Sequence, residues 1–212
     1  MKVVYITGST GRLGAFLGNG FLKSGYQVVG IDQNATSPSE WPLVEADVTS
    51  EKSVISAFEK AVSMVGAPDV VIHTVGMWSM APIAETTFEN WNTHLNLNLS
   101  SAFLIFRQAI REMNGQGSLI GISSRQGVVK GAAEQAGYSA SKGGLVRLAE
   151  AIAEEYRDSG LHTHIVAPST ILFEEGQTGG VSAEDIVAHC LYLASDKGRS
   201  LSGTVLSAFG NG

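Results

Sequence analysis

Near its amino terminus the chain reads Val3-Val4-Tyr5-Ile6-Thr7-Gly8-Ser9-Thr10-Gly11-Arg12-Leu13-Gly14. The opening run is apolar and rich in β-branched residues, which indicates a buried strand. Glycine then recurs at positions 8, 11 and 14, and this spacing permits a sharp turn into a helix that packs closely on the strand. Backbone N–H groups in such a turn, and the positive end of the helix, favour a bound pyrophosphate. We therefore predict a dinucleotide site here, with a merely tight strand–helix connection as the alternative.

Strand patterns and helix patterns alternate along the rest of the chain. Further strand patterns cover residues 26–31, 70–73, 118–122, 163–166 and 204–207. Helical patterns cover about residues 12–24, 51–65, 87–113 and 183–194, and another follows residue 138. Strands that are buried on both faces and joined by helices form parallel sheets. We predict an α/β fold: a single doubly wound Rossmann-like domain over residues 1–212, with a mostly parallel sheet of about seven strands and helices on both faces.

The composition excludes several classes of protein. The chain has 212 residues, of which 44% are hydrophobic and only 16% are charged, so it is neither disordered nor a coiled coil. The net charge of −6 argues against nucleic acid and anionic membrane as partners, because both require basic surface. Cys190 is the single cysteine and has no internal disulfide partner. No apolar run is long enough for a signal peptide or a membrane span, so we predict a cytoplasmic protein, and we predict no metal site.

Two residues near the glycine turn bear on the choice of cofactor. Asp32 ends the second strand pattern, where a carboxylate accepts hydrogen bonds from the adenosine ribose and repels a 2′-phosphate. The alternative role for Asp32 is that of a turn former beside Asn34. Arg12 lies within the turn, where a guanidinium suits either the pyrophosphate or a 2′-phosphate, unless it is simply a solvated residue at a helix start. We predict NAD(H) as the favoured cofactor and NADP(H) as a possible one.

A tyrosine, a lysine and a serine together predict a proton-transfer site. Tyr138 and Lys142 stand four residues apart at a predicted helix start, so they share one face. A lysine ammonium beside a phenol stabilises the phenolate and lowers the tyrosine pKa, which suits acid–base transfer at an alcohol or carbonyl oxygen. Ser123 and Ser124 follow the strand at 118–122, at the edge where open α/β sheets bind ligands. A serine hydroxyl there would hydrogen-bond the substrate oxygen beside the tyrosine.

These motifs resemble those of the short-chain dehydrogenase/reductase family over nearly the whole chain. The run Tyr138-Ser139-Ala140-Ser141-Lys142 resembles its Tyr-x-x-x-Lys motif, and Ile122-Ser123-Ser124 resembles its strand-end serine motif. Of the two serines, Ser124 has close to the usual spacing from the tyrosine. Asn98 lies in a stretch similar to the helix that carries the family's catalytic asparagine. The pair Asp47-Val48 resembles the residues that contact adenine.

The resemblance implies an NAD(P)-dependent oxidoreductase that transfers hydride between the nicotinamide and a carbonyl or alcohol substrate. Its catalytic residues would be Ser124, Tyr138, Lys142 and Asn98. Ser124 would polarise the substrate oxygen, Tyr138 would act as general acid/base, Lys142 would bind the nicotinamide ribose, and Asn98 would hold a water in a proton relay. The implied cofactor-binding residues follow the ends of neighbouring strands: Gly8, Ser9, Thr10, Gly11, Arg12, Leu13, Gly14, Asp32, Asp47, Val48, Thr74, Gly76, Lys142, Pro168 and Thr170. The family further implies a small-molecule substrate and a homodimer or homotetramer.

The sequence departs from the family pattern at three places. Gly11 comes one position earlier than the middle glycine of the commonest branch, a spacing more frequent in branches that include non-catalytic NAD(P)-binding regulators. The usual Asn-Asn-Ala-Gly is replaced by His73-Thr74-Val75-Gly76, which leaves two roles open for His73: a hydrogen-bonded histidine at a strand end, or a participant in the reaction. After Pro168 the long segment that covers the substrate is nearly absent, so we expect an open site or one completed by another subunit.

Candidate substrate contacts flank the expected hydride position: Trp78, Arg125 and Gln126, with Met77 and Met80 beside them. For the methionines and the tryptophan, ordinary packing is the alternative. A non-catalytic NAD(P)-binding regulator or scaffold is the competing function, and the complete set of four catalytic residues favours the enzyme. A sugar-nucleotide epimerase would need a larger domain than the residues after Pro168 allow. The sequence does not indicate which substrate is used.

Overall fold

The central feature is a seven-stranded sheet, seen in a computed structural model that describes residues 1–36 and 39–211. Its strands, in chain order, are β1 (Val3–Thr7), β2 (Gln27–Asp32), β3 (Leu43–Glu45), β4 (Val70–His73), β5 (Gln116–Ile122), β6 (Gly160–Pro168) and β9 (Val205–Ala208). Their spatial order is β3-β2-β1-β4-β5-β6-β9, and every neighbouring pair is parallel. Two short strands, β7 (Ile171–Leu172) and β8 (Val181–Ser182), pair apart from this sheet. The predicted doubly wound α/β fold is therefore confirmed.

Seven α-helices connect or flank these strands in the described part of the chain: α1 (Arg12–Lys23), α2 (Glu51–Val65), α3 (Phe88–Leu95), α4 (Ser101–Met113), α5 (Arg125–Val128), α6 (Ala136–Glu155) and α7 (Ala183–Leu193). A π-helical turn, Asn96–Ser100, separates α3 from α4. The helical pattern that the sequence predicts over about 87–113 is thus helical from residue 88 to 113, with a π turn that the sequence did not indicate. A 3-10 turn at Gly198–Leu201 precedes β9.

The core lies on both faces of the sheet because strand side chains alternate between them. Tyr5 belongs to the core on the face covered by α2, α4 and α6, where Phe58 and Phe106 are fully buried. Its neighbour Ile6 belongs to the opposite core, which α1 and α7 cover. Cys190 of α7 is a buried free thiol in this second core. Within residues 1–36 and 39–211, no helix combines the length and apolar character needed to cross a membrane.

The strand order positions the site. β2 and β3 lie on one side of β1, whereas β4, β5, β6 and β9 lie on the other. Open α/β sheets bind ligands outside the carboxyl ends of the strands, where the strand order reverses. In this chain that point lies between β1 and β4, so the glycine turn after β1 faces the segment after β4. The ends of β5 and β6 continue the same edge.

Candidate active site

The glycine turn forms a cradle that side chains would fill. Gly8 has a φ of +69°, which favours glycine, and its N–H donates to Ile31 O at 2.9 Å. A Cβ on Gly14 would lie 2.1 Å from the carbonyl oxygen of Gly8, so any larger residue would displace the backbone. Gly11 caps α1 without a side-chain hydrogen bond, which leaves the first N–H groups of the helix available to an anion.

A cavity of about 360 Å³ lies at this turn. Its lining comes from the glycine turn, the end of β2 and the segment after β4: Gly8, Thr10, Gly11, Arg12, Leu13, Gly14, Asp32, Thr74, Val75 and Gly76. All but Val75 were predicted cofactor-binding residues. Thr74 Oγ1 donates to Thr7 O at 2.7 Å, which ties the two walls together. The predicted Ser9 is buried against Gly30 instead, and its hydroxyl has no hydrogen-bond partner among the described residues.

Asp32 and Arg12 lie differently with respect to this cavity. Asp32 Oδ2 accepts from Thr10 N at 3.0 Å and Oδ1 accepts from Asn34 N at 3.3 Å, so the carboxylate both lines the cavity and braces the turn. The Arg12 guanidinium lies 4.2 Å from the ring centroid of Phe173 and 3.5 Å from Glu174 Oε1. Arg12, the arginine of the glycine turn, is therefore already paired with Glu174 from the segment after β7.

Five other predicted cofactor contacts lie outside this cavity lining, namely Asp47, Val48, Pro168, Thr170 and Lys142, the last of which belongs to the catalytic group below. Asp47 is exposed, and hydrogen bonds from the hydroxyl and N–H of Thr49 lower the pKa of its carboxyl. Val48 is buried beside it. Pro168 ends β6, and the exposed Thr170 accepts a hydrogen bond from Val181 N through its carbonyl oxygen.

Hydrogen bonds made by Lys142 hold the end of β5 against the start of α6. Lys142 is 5% exposed, and its Nζ donates to Ile122 O at 2.8 Å. Ser123 Oγ donates to Lys142 O at 3.0 Å. The neighbouring Ser124 is equally buried, but its hydroxyl has no hydrogen-bond partner among the described residues. The two serines are therefore distinguished by their contacts: Ser123 holds the backbone of Lys142, whereas Ser124 makes no hydrogen bond of ordinary geometry with a described residue and faces Tyr138.

Tyr138 lies beside Ser124, and burial raises the pKa of its phenol; the Ser124 hydroxyl acts in the opposite direction with a smaller effect. Burial also lowers the pKa of Lys142 to about 8. The net direction of the Tyr138 pKa is therefore upward, whereas the sequence predicts a lowered value. The physical reason is that desolvation of the half-buried phenol outweighs the smaller, opposite effect of the neighbouring Ser124 hydroxyl.

Asn98 lies in the π turn and is fully buried. Its Oδ1 accepts from Met77 N at 2.7 Å, and its Nδ2 donates to Met77 O at 3.1 Å and to Ser141 Oγ at 2.9 Å. A Cβ on Gly76 would lie 2.7 Å from Asn98 Oδ1 and 3.0 Å from Lys142 Nζ. The structure thus brings Asn98, Lys142 and Gly76 together. Both amide protons of Asn98 are used, so only an acceptor lone pair is left for the predicted water.

Comparison with known proteins decides the family. The family model described as short chain dehydrogenase matches residues 2–177. The chain is a short-chain dehydrogenase/reductase. It is 29% identical to an uncharacterized oxidoreductase of Schizosaccharomyces pombe, over 97% of this chain and 88% of that protein. It is 25% identical to an acetoacetyl-CoA reductase of an Acinetobacter species, over 99% and 96% of the two chains.

A solved structure shows the same fold. The ligand-free aldohexose dehydrogenase of Thermoplasma acidophilum superposes with a TM-score of 0.89 at 22% identity, over 97% of this chain and 91% of that one. As a short-chain dehydrogenase/reductase, this protein is an oxidoreductase that acts on alcohol or carbonyl groups of small molecules with a nicotinamide cofactor. The cradle at Gly8 and Gly14 and the adjoining cavity fit such a cofactor.

The substrate side of this dehydrogenase/reductase is formed by the segment after β4 and by α5. Met77 is held by Asn98, and Ser79 Oγ contacts His94 Nε2 at 3.3 Å. The alternate residues Trp78 and Met80 are 57% and 49% exposed. Their exposure is at odds with ordinary core packing.

The predicted contacts on α5 lie at its first turn. Arg125 is exposed, with its guanidinium 5.3 Å from the ring of Phe209, and Gln126 is half-buried. Sequence reasoning missed Phe209, and it missed Ser141, which accepts from Asn98 and donates to Tyr138 O at 2.9 Å. Ser141 lies three residues after Tyr138, and this spacing along a helix is the only signal that marks it.

Proposed function

We propose that this enzyme transfers hydride between NAD(H) and a carbonyl or alcohol substrate, with Tyr138 as the general acid/base. The observation that carries the proposal is the pair of neighbouring hydroxyls: Ser124 is buried, lies near enough to Tyr138 to act on the pKa of its phenol, and makes no hydrogen bond of ordinary geometry among the described residues. A buried hydroxyl without a partner is costly. A substrate oxygen placed between Ser124 and Tyr138 would satisfy it.

In the direction of reduction, both hydroxyls donate to the carbonyl oxygen. The Ser124 O–H polarises that oxygen, and the Tyr138 O–H transfers its proton as negative charge develops. The bound cofactor supplies the hydride. The raised pKa of Tyr138 keeps the phenol protonated before the reaction, as a general acid requires.

Lys142 would then stabilise the phenolate that remains. One of its three N–H donors is used by Ile122 O, so two remain for the tyrosine oxygen and the nicotinamide ribose. With a pKa near 8 the ammonium is mostly charged at neutral pH. Asn98 holds the backbone of Met77 beside Gly76, where the nicotinamide half of the cofactor would lie.

We assign NAD(H) rather than NADP(H) on the charges at the adenosine end. Asp32 lines the cavity with its carboxylate, whereas Arg12 is paired with Glu174 and stacked on Phe173. A 2′-phosphate would be repelled by the Asp32 carboxylate, and to reach the Arg12 guanidinium it would have to displace the Glu174 carboxylate. The remaining glycine-turn residues would hold the pyrophosphate.

The substrate side would remain open. Only residues 173–180 separate β7 from β8, and Phe173 of this segment packs on Phe16 of α1 at 5.7 Å between ring centroids. That contact directs the segment toward the adenosine half of the site. We propose a single domain that acts on small molecules and assembles as a homodimer or homotetramer, as other members of the family do.

The adjacent serines provide a matched test. Ser124→Ala and Ser123→Ala are compared in NADH oxidation against a panel of aliphatic, aromatic and hydroxylated aldehydes and ketones. Ser124→Ala should lower kcat about a hundredfold, because an oxygen-binding donor is lost. Ser123→Ala should keep turnover and lose about 1 kcal/mol of unfolding free energy, because only a backbone contact is removed. Equal losses of kcat, or a wild type inactive on the whole panel, would contradict the proposal.

A further inference from the structure

His73 is the last residue of β4 and is 1% exposed. Its ring lies between β1 and the start of α4: Nδ1 is 2.8 Å from Thr7 Oγ1, and Nε2 is 3.0 Å from Ser101 Oγ. Ser101 Oγ in turn donates to Leu97 O at 2.8 Å. Three hydrogen bonds therefore connect the sheet to the π turn. We propose that His73 is a positioning residue that fixes Asn98 in the active site through Ser101 and this turn.

The direction of each hydrogen bond follows from the proton inventory. Ser101 has one hydroxyl proton and donates it to Leu97 O, so its oxygen accepts from His73 Nε2–H. His73 Nδ1 is then unprotonated and accepts the Thr7 hydroxyl proton. Burial lowers the pKa of His73 to about 3, so the ring stays neutral at ordinary pH. The chain of bonds thus has one consistent direction, from Thr7 to Leu97.

This series of hydrogen bonds ends at Leu97, one residue before Asn98. In the π turn the N–H of Ser101 bonds to Asn96 O, one residue further back than in an α-helix. The Ser101 hydroxyl, oriented by His73, is therefore a contact that holds Leu97 O in this geometry. Because Leu97 and Asn98 are consecutive, the rotation of this peptide sets the direction of the Asn98 side chain, which holds Met77 N and O. His73, at the end of β4, thus influences the position of Met77 after β4 indirectly. It does so through Ser101 and the π turn that carries Asn98.

The alternative is that His73 only fastens β4 to β1. Substitutions at the two ends of this series of hydrogen bonds, Thr7 and Ser101, distinguish the two roles. Thr7→Val removes the hydrogen bond on the sheet side and keeps the shape of the side chain, whereas Ser101→Ala removes both bonds on the side of Asn98. A sheet fastening predicts the larger effect from Thr7→Val, and a positioning role predicts it from Ser101→Ala.

Hydrogen exchange of the Met77 amide measures the position of Asn98 without substrate or cofactor. This N–H donates to Asn98 Oδ1 at 2.7 Å. Ser101→Ala should raise its exchange rate about tenfold, as expected for a weakened hydrogen bond, while Thr7→Val should leave it within about twofold. Unchanged exchange in Ser101→Ala, or equal increases in both variants, would overturn the proposal.

A second pair of variants covers the case in which Ser101→Ala does not fold. The Nε2–H of glutamine occupies a position similar to that of histidine, so His73→Gln should retain protection of the Met77 amide and His73→Leu should lose it. Protection retained in both would overturn the proposal.

The consequence for turnover rests on the proposed function. There we expect a lower kcat in Ser101→Ala with an unchanged KM for NADH. Faster Met77 exchange with unchanged kcat would leave the positioning role in place and would show that turnover does not depend on the contact between Asn98 and Met77.

Discussion

Lys142 Nζ lies 2.8 Å from the carbonyl oxygen of Ile122, so the buried ammonium on α6 is bound to the end of β5. Ser124 follows that strand end, and Tyr138 lies one turn before Lys142 on the helix. This charge-assisted hydrogen bond therefore helps to set the separation of the two elements that carry these hydroxyls. Ser123 adds a second bond between them, from its hydroxyl to Lys142 O. The site is built by fastening one strand end to one helix start.

A methyl group at Gly76 should disrupt this site. Its Cβ would lie 2.7 Å from Asn98 Oδ1 and 3.0 Å from Lys142 Nζ, both of which are buried. We expect Gly76→Ala to lose about 1–3 kcal/mol of unfolding free energy and to lower turnover, measured by urea denaturation and NADH oxidation. In the control Gly131→Ala, the new Cβ meets only Ser139 at 3.6 Å, so both properties should stay near those of the wild type. Similar behaviour of the two variants would contradict the packing described.

The choice of cofactor should depend on Asp32. In thermal unfolding, NADH at one hundred times its Kd should add about 2.7 kcal/mol, and NADPH at the same concentration should add less. Asp32→Ala should shift the preference about tenfold toward NADPH, because a charged hydrogen-bond acceptor for the ribose is lost. Asp158→Ala removes the same charge from an exposed position at the amino end of β6 and should leave the preference unchanged. A larger stabilisation of the wild type by NADPH would show that Arg12 outweighs Asp32.

Acid should destabilise the protein through His73. Its pKa is about 3 in the folded state and about 6.5 in the unfolded chain. Between these values the unfolded state binds more protons, so stability falls as pH falls from about 6.5 toward 3. From pH 7 to pH 5 the wild type should lose about 2 kcal/mol more unfolding free energy than His73→Gln. Parallel losses in urea denaturation at the two pH values would show that His73 is not buried as a neutral ring.

The features that sequence could predict depend on spacing within one element. Gly14 must be glycine because its Cβ would strike Gly8 O at the same turn, and Tyr138 and Lys142 share a face because they are one helical turn apart. The strands were predicted because each is a continuous apolar run. The sequence does not predict β3, because a strand of three residues is too short to show a periodic or continuous apolar pattern.

The features that sequence could not predict depend on distant residues or on the depth of burial. Arg12 and Glu174 are 162 positions apart, and no local pattern pairs them. The π turn at Asn96–Ser100 has no spacing of residues that distinguishes it from the α-helices on either side. Sequence gives the charge of Lys142 but not the desolvation of Tyr138, so the direction of the tyrosine pKa was predicted wrongly.

Turnover of Tyr138→Phe is the most direct test of the central claim, because this change removes only the phenolic oxygen. The measurement is the rate of NADH oxidation with a carbonyl substrate found active for the wild type. We expect kcat to fall by about 10²–10⁴-fold, while the stabilisation by NADH in thermal unfolding stays unchanged. A Tyr138→Phe enzyme whose kcat remains within about twofold of the wild type would contradict the assignment of Tyr138 as the general acid/base.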